Sequence, residues 1–355
     1  KGAQTGRRFE EYAAAVEDWS GGKIKFEIAF ANGIAPVAEI DDALADGRLD
    51  IGSVIAALEP STYPANNALW DLSFVGRQTP VDGILQWHGA MLQIAAQTDA
   101  MFKEFEDNGM HILLPMFASG SFALACDEPR ADLDSLRGAL VATQSRVQAA
   151  QVTALGMTPV TINYAEMNEG ISRGVVDCAA TSLTVAQLGG FIPSAPYFVI
   201  DPTVGLGSPG GTIAISKDTW DSLPLAAQQL LYDRLDVVLK ANFDSTWVNI
   251  RDALETIKAS GGQFLPLAPD ARAALAAAND ATLAESAQQI GGSLVESVRA
   301  AEQAWADIID ELDLPGSDVS YDDFLDWYAS TKDTIDLQPY FDRLWQDAMA
   351  ARRPQ

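Results

Sequence analysis

The sequence predicts an α/β protein folded as two lobes, with a helical tail. Three observations predict it: a helix-strand-helix-strand series opens the chain, a second such series follows residue 120, and beyond residue 223 the apolar periodicity is mostly helical. At 355 residues and 48% hydrophobic, the chain has the length for two lobes more readily than for one compact domain.

Phe9, Tyr12, Ala13 and Val16 recur at i, i+3, i+4 and i+7 and make the apolar face of a first helix, which Ser20-Gly21-Gly22 stops. Lys23 to Ile28 alternates polar and apolar residues with period two, the pattern of a half-buried strand. Ile40, Ala43 and Leu44 predict a second helix ending at Gly47, and Leu49-Asp50-Ile51-Gly52 begins another strand. A β-α-β series of this kind favours a parallel sheet with helices on its faces.

In the second series, Leu133 to Gly138 leads into a strand over Ala139 to Thr143. A helix from about Val147 to Leu155, a strand at Pro159 to Ile162, a helix around Glu166 to Ser172 and a strand from Val175 to Cys178 follow. Leu239, Phe243, Trp247, Ile250, Leu254 and Ile257 then keep one apolar stripe up to Gly261-Gly262. From Leu223 this run is either one helix of about 35 residues, on the order of 50 Å long and able to brace both lobes, or two helices broken near Asn242. An alanine-rich helix, a run from Leu294 to Leu312 and helices around Phe324 and Tyr340 complete the chain, with Pro315-Gly316-Ser317 as punctuation.

Composition removes several classes of function. With 49 acidic against 23 basic residues, the formal charge of -26 repels phosphate backbones and anionic lipid, so neither nucleic acid nor membrane surface is expected as a partner. No apolar run reaches the length of a membrane-spanning helix. The start, Lys1 to Arg8, lacks an apolar secretory core, so any export signal is expected to have been removed already.

His88 and His111 are the only histidines, each reading as a structural residue, and no Gly-x-Ser-x-Gly elbow, His-Glu-x-x-His pair or P-loop occurs. Gly205 to Gly211 is glycine-rich, but Pro209 and the lack of a lysine favour a flexible interlobe segment over a phosphate cradle. Asp41-Asp42 and Asp322-Asp323 lack the spacing of a Ca²⁺ loop and read as solvated faces. No cofactor and no metal are expected. Cys126 and Cys178 end two predicted strands and are either a disulfide or two buried small apolar residues.

Four segments resemble the solute-binding proteins of tripartite ATP-independent (TRAP) transporters, the DctP-like family. Ser20 to Ile28 is similar to the family's "SGGKIKVEV", and Glu39 to Gly52 to its "EALQSGTLDMG". Leu133 to Gly138, Ala154 to Val160, Ala165 to Met167 and Arg173 to Asp177 resemble "DLKG…LGATPV…EVY.ALQRGVVDG" in order and nearly in spacing. Ile215 to Pro224 resembles "IN…W.SLP" before the family's long helix.

The resemblance covers residues 6 to about 265. It implies a type II periplasmic-binding-protein fold, with crossing strands and a long helix joining the lobes, and a strand before the Phe9 helix. It further implies an extracytoplasmic, periplasmic carrier, not an enzyme, that delivers a small organic solute to membrane permease subunits and is itself a monomer. The rival readings are the binding protein of an ABC importer or sensor, and an enzyme on a similar scaffold. In residue numbers the expected division is 1–120 plus about 208–240 for lobe I and 121–207 plus about 241–290 for lobe II. Residues 291–355 are expected to form a helical extension packing on the lobes.

In this family a strand of the second lobe usually ends in an arginine that pairs with the substrate carboxylate through a charge-assisted fork. That position is Ala142 here, which withdraws the inference of an acid ligand. Arg146, four residues on, either reaches back to recover the carboxylate contact or is a solvated helix-start residue. Without it the ligand is expected to be neutral or cationic, held by aromatic faces and Glu59 or another acid. The candidate aromatics are Trp70, Phe74, Phe117, Phe122, Tyr197 and Phe198, each of which reads equally as core. Thr143, Gln144, Thr181 and Ser182 follow second-lobe strands, where open α/β sheets place ligands, and otherwise serve as turn and cap residues.

Overall fold

A computed structural model describes residues 4–30, 33–162, 166–290, 292–316 and 319–355. Among them lie nine strands: β1 (Ile51–Val54), β2 (Met110–Phe117), β3 (Phe122–Cys126), β4 (Leu140–Ala142), β5 (Thr158–Val160), β6 (Cys178–Ser182), β7 (Tyr197–Val199), β8 (Gly211–Ser216) and β9 (Gln263–Leu265). They form a three-stranded sheet of order β1-β8-β2 and a six-stranded sheet of order β5-β4-β6-β3-β7-β9. The chain passes from the first sheet to the second between β2 and β3 and returns between β7 and β8. The crossings touch at the Phe122–Leu206 bridge.

The helix Gln4–Trp19 buries Tyr12 and Val16, and the Tyr12 hydroxyl donates to the Leu231 carbonyl at 2.8 Å. Its stop is conformational: Gly21 and Gly22 adopt positive φ, which lets the Gly22 N–H turn back to the Glu17 carbonyl at 2.8 Å. The strand expected over Lys23 to Ile28 does not form. Ile24 and Phe26 do pack inward against the core, Phe26 5.8 Å from the Tyr12 ring, so the alternation is real. No described strand lies beside this segment to complete a ladder, and an extended chain without a partner is not a strand.

The parallel order expected in the first lobe is also absent. Both β1 and β2 pair antiparallel with β8, which arrives from about 100 residues later and inserts between them. The second lobe is mixed: β4 is parallel to β5 and β6, while β3 is antiparallel to β6 and β7. Cys126 and Cys178 face each other in the β3–β6 register, fully buried, and form a disulfide.

The long apolar stripe divides into helices Leu225–Asp233 and Leu235–Ala259, with the turn at Arg234, not near Asn242. The longer helix, of 25 residues, spans about 38 Å. It packs on both the Gln4–Trp19 helix and the Leu183–Gly189 helix. Asn242 does not break it because its amide is satisfied outside the helix: Nδ2 donates to the Ala118 carbonyl at 3.2 Å and Oδ1 accepts from Arg8 Nη1 at 2.9 Å.

The tail packs against helix Asp82–Gln97, and its Tyr321 stacks on Phe264 of β9 at 5.4 Å. Helix Gly292–Glu311 lies along helix Asp82–Gln97, whose residues are buried on nearly every side. Gly89 permits the approach, since a Cβ there would stand 2.1 Å from the Trp305 ring. The Trp305 N–H donates to Gln93 Oε1 at 2.7 Å, and the Tyr340 hydroxyl donates to the Leu85 carbonyl at 2.8 Å. Glu302 sits in this interface against Gly76, both carboxyl oxygens buried without a partner, and burial pushes its pKa up to about 8.

Two measurements follow from this packing. Gly89→Ala should lower unfolding free energy by about 1–3 kcal/mol in urea titrations, overpacking against Trp305 outweighing the gain of about 1 kcal/mol in helix propensity. For Glu302, the unfolded chain releases its proton near pH 4.5 and the folded chain only near pH 8, so folding loses stability as pH rises between those values. Glu302→Gln should therefore flatten the fall in urea midpoint across that interval; an unchanged slope would refute the assignment.

Candidate ligand cleft

A narrow cleft, with about 20 Å³ of enclosed space, lies at the crossings. Ala118, Gly120 and Ser121 contribute from the first crossing, Ser208 from the second, and Trp87 and His88 from helix Asp82–Gln97. The Ala118 N–H donates to His88 Nε2 at 3.2 Å, so Nδ1 carries the proton and donates to the Ile84 carbonyl at 2.8 Å. Burial lowers the His88 pKa to about 4. It is a neutral ring with both nitrogens engaged, positioning the crossing. His111 lies elsewhere, stacked on Trp220 at 4.3 Å with Nδ1 2.6 Å from Glu106.

The glycines of the second crossing are explained by close packing. A Cβ at Gly205, Gly207, Gly210 or Gly211 would stand within 2.5 Å of Gln78, Val147, Trp70 or Phe117 respectively. Side chains satisfy the backbone here: the Gly207 N–H donates to Gln151 Oε1 and the Gly207 carbonyl accepts from Gln148 Nε2, both at 2.8 Å. The Ser208 N–H donates to Ser73 Oγ, also at 2.8 Å. This segment does join the lobes, but as a packed strap.

Ser145 caps helix Arg146–Ala154 and sets Arg146 at its first position. Arg146 reaches back across the lobes, where a protein carboxylate meets it: Nε donates to Asp71 Oδ2 at 2.7 Å, and Nη2 contacts the same oxygen. The Asp71 side chain is 7% exposed and that of Arg146 54%. Burial, partly offset by Arg146, leaves the Asp71 carboxyl above its usual range. On the first crossing, Ser119 Oγ meets Ser182 Oγ, at the end of β6, at 3.0 Å.

Ala142 and Thr143 lie buried at the end of β4, and the Gln144 N–H donates to Gln148 Oε1 at 2.8 Å. Thr181 and Ser182 end β6, where Ser182 Oγ accepts from the Val185 N–H and caps the next helix. Trp70 stacks on Trp87 at 5.7 Å, and Phe117 ends β2 at the first crossing. These predicted residues lie around the crossings, and none of them lines the cleft itself. Phe122 instead faces the second-lobe core with Leu124 and Leu206, Phe74 is buried beneath the strap, and Tyr197 pairs with Cys126 at the end of β3 away from the crossing. Phe198 is wholly buried, and Glu59 accepts from Thr62 Oγ1 at 3.1 Å outside the cleft lining.

One residue near the crossings escaped sequence reasoning. The guanidinium of Arg8 lies 4.3 Å over the Phe117 ring. The signal existed: Arg8 stands four residues before Tyr12 and eight before Val16, so it lies half-buried on the inward side of its helix.

The family model for DctP, bacterial extracellular solute-binding protein family 7, matches residues 2–289. No curated protein matches. Among solved structures, a marine metagenome TRAP solute-binding protein specific for aromatic acid ligands, in complex with metahydroxyphenylacetate, is 19% identical, with TM-score 0.73 over 86% of this chain and 96% of that one. A marine metagenome TRAP protein in complex with pyroglutamate is 16% identical, with TM-score 0.71 over 85% and 95%. A TRAP periplasmic protein from Sulfitobacter sp. NAS-14.1 with bound β-D-galacturonate is 16% identical, with TM-score 0.69 over 84% and 96%. At these identities the likeness establishes the two-lobed fold.

The ion pair between lobes is testable without a ligand. Arg146→Ala leaves a buried carboxylate unpaired and should cost about 1 kcal/mol at neutral pH, a modest figure because the arginine is half exposed. In a double-mutant cycle with Asp71→Asn the two losses should be less than additive; full additivity in urea titrations would show that the pair carries no energy.

Proposed function

The chain belongs to the DctP family of bacterial extracellular solute-binding proteins, family 7, and from that premise we propose that it captures a small organic acid between its lobes and delivers it to the membrane subunits of a TRAP-type transporter. The observation that carries this reading is that the match spans both sheets and both crossings, the parts that build the cleft. The acid character is supported by the solved relatives, whose bound solutes are a uronate, pyroglutamate and an arylacetate. We place the solute among Trp70, Phe117, Thr143, Gln144, Thr181 and Ser182, at the strand ends where open sheets bind their ligands. Binding occurs without turnover, in the periplasm, with the protein as a monomer.

The mechanism is a change in population. A solute shifts the lobes toward closure only by the difference in its affinity for closed and open forms. The Arg146–Asp71 pair favours the arrangement in which its two side chains meet, and a solute held between the lobes adds to that bias.

A thermal-shift screen across organic acids, neutral sugars, amines and amino acids tests this. One acid should raise stability by about 2.7 kcal/mol when present at a hundredfold excess over its Kd, and mass spectrometry should recover it unchanged. Stabilisation by neutral or cationic solutes alone would sink the acid reading, and conversion of the solute would sink the carrier reading.

A further inference from the structure

We propose that Arg8, on the first helix, is the group that takes the carboxylate of the bound acid. The inference rests on the acid reading above and identifies the residue that makes it work. Five other arginines reach between distant parts of the fold by an ion pair or line the cleft, and each already holds a carboxylate: Arg77 holds Asp82, Arg146 holds Asp71, Arg272 holds Asp201, Arg352 holds Asp99 and Arg353 holds Asp233. Arg8 has no acidic partner among the described residues. Its Nη1 donates to Asn242 Oδ1 at 2.9 Å, its plane lies over Phe117, and its Nε is buried with no acceptor.

A guanidinium presents five donors in a rigid fork, and burying it without an anion is costly. A neutral carbonyl and an aromatic face recover only part of that cost. Burial lowers its pKa to about 10, which leaves it charged at neutral pH. The location is equally specific. Asn242 joins Arg8 to the carbonyl of Ala118, a residue that lines the cleft. The fork is thus held over Phe117 beside the first crossing with a donor unspent. A carboxylate is the acceptor that matches it, since its two oxygens take parallel hydrogen bonds from a guanidinium.

The experiment is calorimetric titration of the parent, Arg8→Gln and Arg8→Lys with D-galacturonate, pyroglutamate and metahydroxyphenylacetate, each beside its neutral amide. The parent should bind one of the acids. Arg8→Gln should weaken that acid on the order of 10- to 100-fold, the loss of a charge-assisted contact, while changing the affinity of the matching amide little. Arg8→Lys, which keeps the charge but not the fork, should fall between. The ligand-free melting temperature of Arg8→Gln should be unchanged or higher, because an uncompensated cation has left the interior.

Equal acid affinity in the parent and Arg8→Gln would remove Arg8 and leave the acid reading intact. Loss of acid and amide alike would show a structural role and overturn the assignment. A parent that binds only neutral solutes would end the acid reading, and this inference with it. If Arg8→Gln does not fold, undiminished acid binding by Arg8→Lys overturns the fork.

Discussion

At the two crossings the chain leaves one sheet and enters the other, and there the strand ladders stop. Backbone amides and carbonyls in that stretch are buried and must find partners elsewhere. The protein supplies them from side chains: His88 and Asn242 for Ala118, Ser73 for Ser208, Gln148 and Gln151 for Gly207. This requirement accounts for a set of buried polar residues that would otherwise be expensive, and each is fixed by the bond it makes. It also accounts for the glycines of the strap, where the partners press too closely for any side chain. The floor of the cleft is rigid because its hydrogen bonds are spoken for on both sides.

How much of this was legible in the sequence depends on range. Helices with strong local periodicity, such as the one bearing Tyr12 and Val16 and the one bearing Phe243 and Trp247, were readable because their faces are set by residues three and four apart. Strand direction in the first lobe was not, since β8 supplies the central strand from far along the chain and local alternation says nothing of a distant partner. Lys23 to Ile28 shows the same limit: its alternation reports which side faces the core, and the ladder needs a neighbour. Asn242 marked a polar interruption but not a break, because Arg8 and Ala118 lie far off in sequence and satisfy it.

The cleft was legible in the same uneven way. Thr143, Gln144, Thr181 and Ser182 were readable as the ends of second-lobe strands, where open sheets place ligands, and the structure does set Thr143 and Gln144 just past β4 and Thr181 and Ser182 at the end of β6. Phe122 and Tyr197 lie on the neighbouring strands β3 and β7, but their register carries them into the core or away from the crossing. The partner of Arg146, Asp71, lies 75 residues back, and no local pattern connects them.

Charge sharpens the problem this molecule has to solve. A protein of formal charge -26 repels organic acids at long range, so its overall field does not recruit them. At physiological ionic strength, however, that field decays over about 8 Å, and a solute that reaches the cleft interacts chiefly with groups it touches. On the acid reading proposed above, recognition must then be local: a few donors, oriented in advance and not neutralised by the protein itself. Most arginines near the cleft fail this condition, because a carboxylate of the chain already occupies their forks. The cation packed over Phe117, proposed above for this role, meets it, and its contacts with Asn242 and the Phe117 ring keep it oriented.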